Sequence, residues 1–298
     1  MNIQKRSIAL GSFDGLHVGH QAVLAAAFFP DFTPTVLTFQ QSPSGEPLLL
    51  PSDDRRALLT RRGFSEIYTL NFEEVKDTPA EVFAEDFLFG VCGANRLVCG
   101  KDFRFGKGAK GNADLLAALC TEKGAQLLVI PPVMENGEKI SSTRIRKAIE
   151  AGDIAAANQL LGRPFGFAGE VIHGNHLGTG LGTPTINQAY PERLTVPRFG
   201  VYAAWCRVDG EDYFGVTNIG VKPTVGSDRV LAETWMPDFS GDIYGKQVRL
   251  FLLDFIRPER RFDSLEELKA VILQNAEQAR EIAVENTLSA WNPEEILP

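Results

Sequence analysis

Apolar positions along this chain fall into two textures. From residue 7 to about residue 161, short apolar runs alternate with stretches whose apolar positions recur at helical spacing. The runs predict strands over 7–10, 35–39, 66–70, 96–99 and 126–130, and the stretches between them predict helices over 17–29, 53–62, 79–90 and 112–123. Strand–helix alternation of this kind predicts a doubly wound, mostly parallel sheet. After Gly162 the period changes. Residues 165–173, 201–208, 213–219, 230–236 and 247–255 read as strands, with turn signals such as Asp209-Gly210 and Ser240-Gly241-Asp242 between them. Strands without intervening helices predict an antiparallel barrel. One long helix closes the chain: Ser264 and Glu267 form a capping box ahead of Leu265, Leu268, Val271, Ile272 and Ala279. Gly162-Arg163-Pro164 ends a helical pattern, so the expected domains are 1–161 and 162–298, one α/β and one all-β.

A length of 298 residues accommodates two domains at roughly 100–200 residues each. The 44% hydrophobic and 23% charged content argues against long disorder. A net charge of −8 and a pI near 5.2 disfavour nucleic acid as a partner, because no basic excess exists to displace its counterions; small phosphorylated ligands need only a few local donors. The apolar stretch after Lys5 and Arg6 is too short for a signal peptide. The longest apolar run, 22–29, falls below the roughly 18 residues of a membrane helix, so no membrane partner is expected. Cys92, Cys99, Cys120 and Cys206 make no C-x-x-C pair and read as small buried side chains. The expectation is a soluble cytoplasmic protein working on small molecules, and a homo-oligomer is compatible with it.

The most informative stretch is Gly-Ser-Phe-Asp-Gly-Leu-His-Val-Gly-His at 11–20, directly after the first predicted strand. A strand followed by a helix there aims backbone N–H groups and a helix N-terminus over the sheet's carboxyl edge, and Gly11 and Gly15 let the backbone approach a phosphate. His17 and His20, three apart, share one helix face and can hold one triphosphate; a zinc-binding or merely superficial His pair is the alternative. A second stretch, Ile-Ser-Ser-Thr-Arg-Ile-Arg at 140–146, opens a helix. Its hydroxyls at Ser141, Ser142 and Thr143 either cap that helix or bind phosphate, and Arg144 is a cation at the helix end its own dipole disfavours. Between these, residues 100–108 set Phe103 and Phe105 around Arg104 in a Gly-bounded loop, which either stacks a flat heterocycle or plugs the domain edge.

In the second half, 178–187 reads Gly-Thr-Gly-Leu-Gly-Thr-Pro-Thr-Ile-Asn. Pro184 and the β-prone Thr-Ile stand where a dinucleotide-binding helix would begin, so an extended segment suits it better. There Thr185 and Asn187 share a face and can hold hydrated Mg²⁺, while the glycines cradle phosphates; a flexible turn entering a strand is the alternative. Glu233, in an apolar strand-like run, is either a general base or a solvent-facing strand residue. Residues 218–224, Asn-Ile-Gly-Val-Lys-Pro-Thr, offer polar groups at another strand end or simply form a loop.

Taken together these stretches resemble the bacterial bifunctional riboflavin kinase/FAD synthetase family over essentially the whole chain. That family has G-x-F-D-G-x-H-x-G-H, a G-x-x-F-x-F-G loop and I-S-S-T-R-I-R in one module. Its other module has L-G-x-P-T-x-N, N-I-G-x-x-P-T, a catalytic Glu before Y-G-K, and a final helix. All occur here in order, including Tyr244-Gly245-Lys246. The resemblance implies a Rossmann-like nucleotidyltransferase α/β/α domain followed by a riboflavin-kinase barrel with a terminal helix. It implies that riboflavin is phosphorylated by ATP to FMN in the barrel and that FMN is adenylylated by a second ATP to FAD in the first domain. His17, His20, Arg144 and Glu233 would be catalytic. Gly11, Ser12, Phe13, Asp14, Gly15, Gly19, Ser141, Ser142, Thr143, Gly178, Gly180 and Gly182 would bind nucleotide. Asp102, Phe103, Arg104, Phe105, Asn218 and Thr224 would bind flavin, and Thr185 and Asn187 would bind Mg²⁺. The sequence departs from the family at Phe39-Gln-Gln-Ser-Pro43, where F-x-P-H-P is usual, at Thr179 or Gly180, where a cation is common, and at Thr183 and Ile186, where Phe and Ala are usual. An Asp often found in the last helix is also missing near Asn275. A class I aminoacyl-tRNA synthetase shares H-x-G-H, but this chain lacks the lysine-rich K-M-S-K-S signature and an anticodon-binding module. The remaining alternatives are a monofunctional FMN adenylyltransferase with an impaired kinase domain and a non-enzymatic flavin-binding protein.

Overall fold

In a computed structural model of the chain, residues 5–173, 182–224, 227–292 and 295–297 are described. The chain divides into two compact units, Met1–Ser142 and Thr143–Pro298.

The first unit is built on five parallel strands, β1 (Lys5–Leu10), β2 (Phe32–Phe39), β3 (Glu66–Leu70), β4 (Ala94–Gly100) and β5 (Gln126–Ile130), in the order β3-β2-β1-β4-β5. Ile8, Ala9, Leu10, Leu97, Val98 and Cys99 are almost wholly buried, as expected of central strands covered on both faces. The helices are α1 (Val18–Ala25), α2 (Ser52–Arg61), α3 (Phe72–Val75), α4 (Ala80–Val82) and α5 (Ala113–Lys123). α1 stops short of the predicted residue 29, because Pro30 bars the helix from continuing and Phe29 turns back against Phe32. The predicted helix over 79–90 is α4 widened into a π-helical segment, Phe83–Val91, which places Phe83, Ala84 and Leu88 in the core. α5 is as expected: the Asn112 side chain accepts from the Leu115 N–H at 2.9 Å, and Gly124 ends the helix in left-handed conformation. A short hairpin, β6 (Met134–Glu135) and β7 (Glu138–Lys139), was not predicted, although its Asn136-Gly137 turn with both φ positive is a standard hairpin signal.

The second unit opens with α6 (Ser142–Ala151, of which Ser142 belongs to the first unit) and α7 (Ile154–Leu161), and continues as a closed six-stranded barrel. Its strands are β8 (Phe165–Ile172), β9 (Thr185–Ala189), β10 (Gly200–Val208), β11 (Glu211–Thr224), β12 (Ser227–Trp235) and β13 (Gln247–Pro258), in the order β10-β11-β12-β9-β8-β13. The barrel interior holds Tyr202, Ala204, Cys206, Ile219, Ala232 and the hydrogen-bonded pair Thr217–Thr234, all with zero exposure. The long C-terminal helix, α8 (Leu265–Glu285), lies on the outer face through Ala276, Ala279 and Ala283 against Val201, Ala203 and Val216. Its N-terminus is capped as predicted by Ser264, whose hydroxyl accepts from the Glu267 N–H at 3.1 Å. Glu267 reaches back to the Asp263 N–H, one residue earlier than a strict capping box. No described helix is long and apolar enough to cross a membrane. All four cysteines are free and buried, and burial pushes the thiols of Cys92, Cys99 and Cys120 up to about 12, 11 and 11, so they stay protonated and unreactive.

α7 is stitched into the barrel by Asn158, which is buried. Its amide donates to the Leu252 carbonyl at 2.9 Å and accepts from the Phe165 N–H at 2.7 Å. Removing α7 therefore strips buried backbone groups of a partner, at about 1–3 kcal/mol for each group left unsatisfied. A fragment beginning at Thr143 is expected to melt several degrees above one beginning at Gly162, as measured by thermal unfolding; equal melting temperatures would show that α6 and α7 add nothing to the barrel.

Candidate active sites

In the first unit the strand order reverses between β1 and β4, which places the chain segments leaving both strands side by side at the sheet's carboxyl edge. Such a switch point is where open α/β sheets form ligand crevices. The segment after β1 is a tight turn in which Phe13 (φ 48°) and Leu16 (φ 45°) take left-handed conformations along with Gly15 (φ 80°). For the two non-glycine residues that conformation costs about 1–2 kcal/mol each. It is held by its neighbours. Asp14, 2% exposed, accepts from the Leu49 N–H at 2.9 Å; Thr38 donates to the Ser12 carbonyl at 2.7 Å; Ser142 donates to the Asp14 carbonyl at 3.1 Å. Gly11 leaves room for the Phe13 ring, which would lie 3.0 Å from a Cβ there.

The turn delivers His17 as the cap of α1. His17 is buried, and its Nδ1 accepts from the His20 N–H at 3.2 Å, so in the neutral ring the proton resides on Nε2. The His20 ring stacks on it at 3.5 Å between centroids and 16° between planes, with the Phe13 ring edge-on to His20 at 5.4 Å. Among the described residues no group of three or more His, Cys, Asp and Glu side chains could hold a metal. A Cβ on Gly19 would crowd the His17 ring at 3.2 Å and make an ordinary contact with the Ile140 carbonyl at 3.4 Å, so the glycine gives room to the His17 ring. The structure thus brings 11–20 and 140–142 together. Thr143 and Arg144, in the first turn of α6, belong to the second unit.

The loop after β4 is anchored by Phe105, which is buried in the core of the unit and pairs with Gly111 through backbone hydrogen bonds of 3.1 and 2.9 Å. Phe103 stacks on it at 5.6 Å and is only half-buried; Arg104 is exposed and donates to the Phe103 carbonyl. The two aromatics therefore differ: Phe105 plugs the edge and Phe103 offers a surface. Asp102 pairs with Lys139 of the unpredicted hairpin. Burial pushes the Asp102 carboxyl up, and the Lys139 hydrogen bond and charge more than reverse this, leaving it below the ordinary carboxylate range.

In the second unit the barrel register decides which polar residues meet. Asn187 of β9 lies directly opposite Glu233 of β12, and Glu233 lies directly opposite Asn218 of β11, so amide, carboxylate and amide form one row on the outer face, the face that α8 covers further along. Thr185 shares that face, two residues before Asn187 and opposite Trp235. Asn187 is buried, and Glu233 and Thr185 are half-buried. Asn218 donates to Glu259 at 3.1 Å. Arg257 donates to Asn275 of α8 at 2.9 Å, so the helix position where the family often has Asp carries an amide bound to an arginine. Thr183 is buried and Ile186 is half-buried opposite Thr234.

Residues 1–144 match the FAD synthetase family model, and residues 161–283 match the riboflavin kinase model. The chain is 35% identical over 286 residues to the bifunctional riboflavin kinase/FMN adenylyltransferase of Pseudomonas fluorescens, covering 92% of each. It is 34% identical to the proteins of that name from Bacillus subtilis, over 92% of each chain, and Escherichia coli K12, over 92% of this chain and 91% of that protein. The chain belongs to the bifunctional riboflavin kinase/FMN adenylyltransferase family. A crystal structure described as a macrolide-efflux protein from Streptococcus pneumoniae shares its architecture, with a TM-score of 0.84 at 30% identity over 94% of this chain and 95% of that one.

The polar row of the kinase half gathers Thr185, Asn187, Asn218 and Glu233 from three strands. Gly182 is described, with φ of 78°, whereas Gly178, Gly180, Thr179 and the side chain of Thr224 lie outside the described residues. The sequence reading missed three groups beside these sites. Lys139 was signalled by the Asn-Gly turn. Glu259 and Arg55 carried no local signal, since each acquires its partner only by long-range packing.

Proposed function

We propose that the two units act in succession on one flavin. The chain is a riboflavin kinase and an FMN adenylyltransferase: riboflavin and ATP give FMN and ADP, and FMN and a second ATP give FAD and pyrophosphate. The observation that carries the reading is that the two matched halves each contain their own cluster of polar groups, gathered from residues distant in sequence.

In the barrel, Glu233 would take the proton from the 5′-hydroxyl of riboflavin as its oxygen attacks the γ-phosphorus of ATP. Asn187 and Asn218 flank that carboxylate and would orient the groups it serves, and the family resemblance assigns Asn218 and Thr224 to the flavin and Gly178, Gly180 and Gly182 to the phosphates. The donors on this face are all oxygen, the Thr185 hydroxyl, the Asn187 amide and the Glu233 carboxylate, which fits a hard cation that keeps waters and shares phosphates. Thr185 and Asn187 would hold Mg²⁺, which when bound supplies positive charge to the transferring phosphate.

In the first unit, the FMN phosphate attacks the α-phosphorus of ATP and pyrophosphate leaves. No covalent partner is needed; fixed donors must meet charge developing on the phosphate oxygens. His17, through Nε2–H, and His20 stacked upon it would supply these donors. Gly11, Ser12, Phe13, Asp14 and Gly15 build the turn that aims them, and Gly19, in the first turn of α1, would leave room for the nucleotide beside them. Ser141 and Ser142 would hold the nucleotide phosphates, a role the family resemblance also assigns to Thr143 and the catalytic Arg144, and Asp102, Phe103 and Arg104 would hold the flavin, over a base formed by Phe105. The cytoplasm, where ATP is abundant and thiols stay reduced, is the setting this reading implies.

Incubation with riboflavin, ATP and Mg²⁺, with FMN and FAD separated by chromatography, tests both steps. FMN should appear first and FAD after it; FMN alone would remove the adenylyltransferase assignment, and FAD only from added FMN would remove the kinase. His20→Ala should lower FAD formation at least ~10²-fold, as loss of one transition-state donor does; unchanged turnover would refute its role. Glu233→Gln should lower FMN formation by about 10²–10⁴-fold while FAD formation from supplied FMN persists. Loss of both reactions would mean the two sites are not independent.

A further inference from the structure

We propose that Arg55 is a positioning residue for FAD formation, a buried cation whose fork fixes the main-chain turn carrying His17 and His20; this rests on the adenylyltransferase reading of the first unit. Arg55 lies in the first half of α2 and is 2% exposed. Its guanidinium donates to the Ser12 carbonyl at 3.2 Å from one nitrogen, and to the Phe39 carbonyl and the Gln40 carbonyl (3.3 Å) from the other. One planar group therefore ties the segment leaving β1 to the end of β2 and to Gln40, the residue just before the two positions, Gln41 and Ser42, that depart from the family pattern. Thr38 donates to the same Ser12 carbonyl, so that oxygen, immediately before the left-handed Phe13, is held from two directions. Burial pushes the Arg55 pKa down and the Asp14 carboxylate pushes it back up, which places the two buried charges within each other's field under the turn.

Stability alone does not call for a cation here. Withdrawing a guanidinium from water is unfavourable, and apolar side chains commonly replace buried ions with no loss of stability. What an apolar side chain cannot do is hold three carbonyl oxygens in a fixed plane, and a lysine ammonium lacks the fork. A displacement of about 1 Å in groups that contact the reacting phosphate is enough to lower a rate by about 10²-fold. Beside Arg55 lies a cavity of about 320 Å³ lined by Thr38, Gln40, Ser52, Arg56 and Thr69, among others, which leaves a small cation room to enter when the side chain is shortened.

In the full-length protein, Arg55→Met should lower kcat for FAD formation about 10²-fold, with KM for ATP within about threefold and FMN formation by the same preparation unchanged. Arg55→Lys should fall between that variant and the unsubstituted chain. In Arg55→Ala, millimolar guanidinium should restore FAD formation at least ~5-fold and should do nothing for His20→Ala. A folded Arg55→Met with unchanged kcat would overturn the inference. So would variants whose FAD formation falls only in step with their folded fraction, without rescue by guanidinium. If the unsubstituted chain forms FMN but no FAD, the adenylyltransferase reading falls and the inference with it; if it forms FAD and the Arg55 variants match it, the inference alone falls.

Discussion

The parallel pairing of β1 with β2 on one side and β4 on the other is the constraint on which the first unit depends. A strand paired on both edges cannot shift register without breaking two ladders, and burial of Ile8, Ala9 and Leu10 penalises any slip that would turn them outward. The position of Gly11 is thereby set to within the rigidity of the sheet. The turn that follows is strained, and it persists because that fixed anchor is combined with bonds from Thr38, Leu49, Arg55 and Ser142. Stored strain of this sort is tolerable at one turn because the surrounding sheet is deeply buried and repays it through packing.

The barrel solves the same problem by other means. Closure removes sheet edges, so each strand has two partners and its register is set twice over. Polar residues contributed by three strands then stand in one row, while the alternating residues of the same strands fill a dry interior with Tyr202, Ile219 and the Thr217–Thr234 pair. Rigidity matters more here than intrinsic reactivity. Glu233 is held between two amides, and α8 stiffens the neighbouring part of the same face by packing alanines against Val201, Ala203 and Val216.

The overall acidity of the chain is compatible with ATP as a substrate because local donors, not net charge, can meet its phosphates. Backbone N–H groups at helix ends and turns add positive potential without adding a formal charge. Arg144, Arg104 and the His pair are local, and a net charge of −8 spread over 298 residues describes the rest of the surface.

Much of this was legible in the order of residues. The five strands of the parallel sheet, the change of period after Gly162, the capped final helix and the motifs at 11–20 and 140–146 all follow from rules that act over a few residues: periodicity, turn chemistry and helix capping. The same rules placed Thr185 and Asn187 on one face. They could not say that Glu233 lies between Asn187 and Asn218, since cross-strand register depends on closing the barrel. Nor could they say that Phe105 turns into the core while Phe103 stays accessible, that Lys139 meets Asp102, or that Arg55 reaches three carbonyls. The chemical types of the groups are a property of the sequence by itself; their juxtaposition belongs to the tertiary structure, because contacts between residues tens of positions apart form only when burial of apolar surface brings strands and helices together.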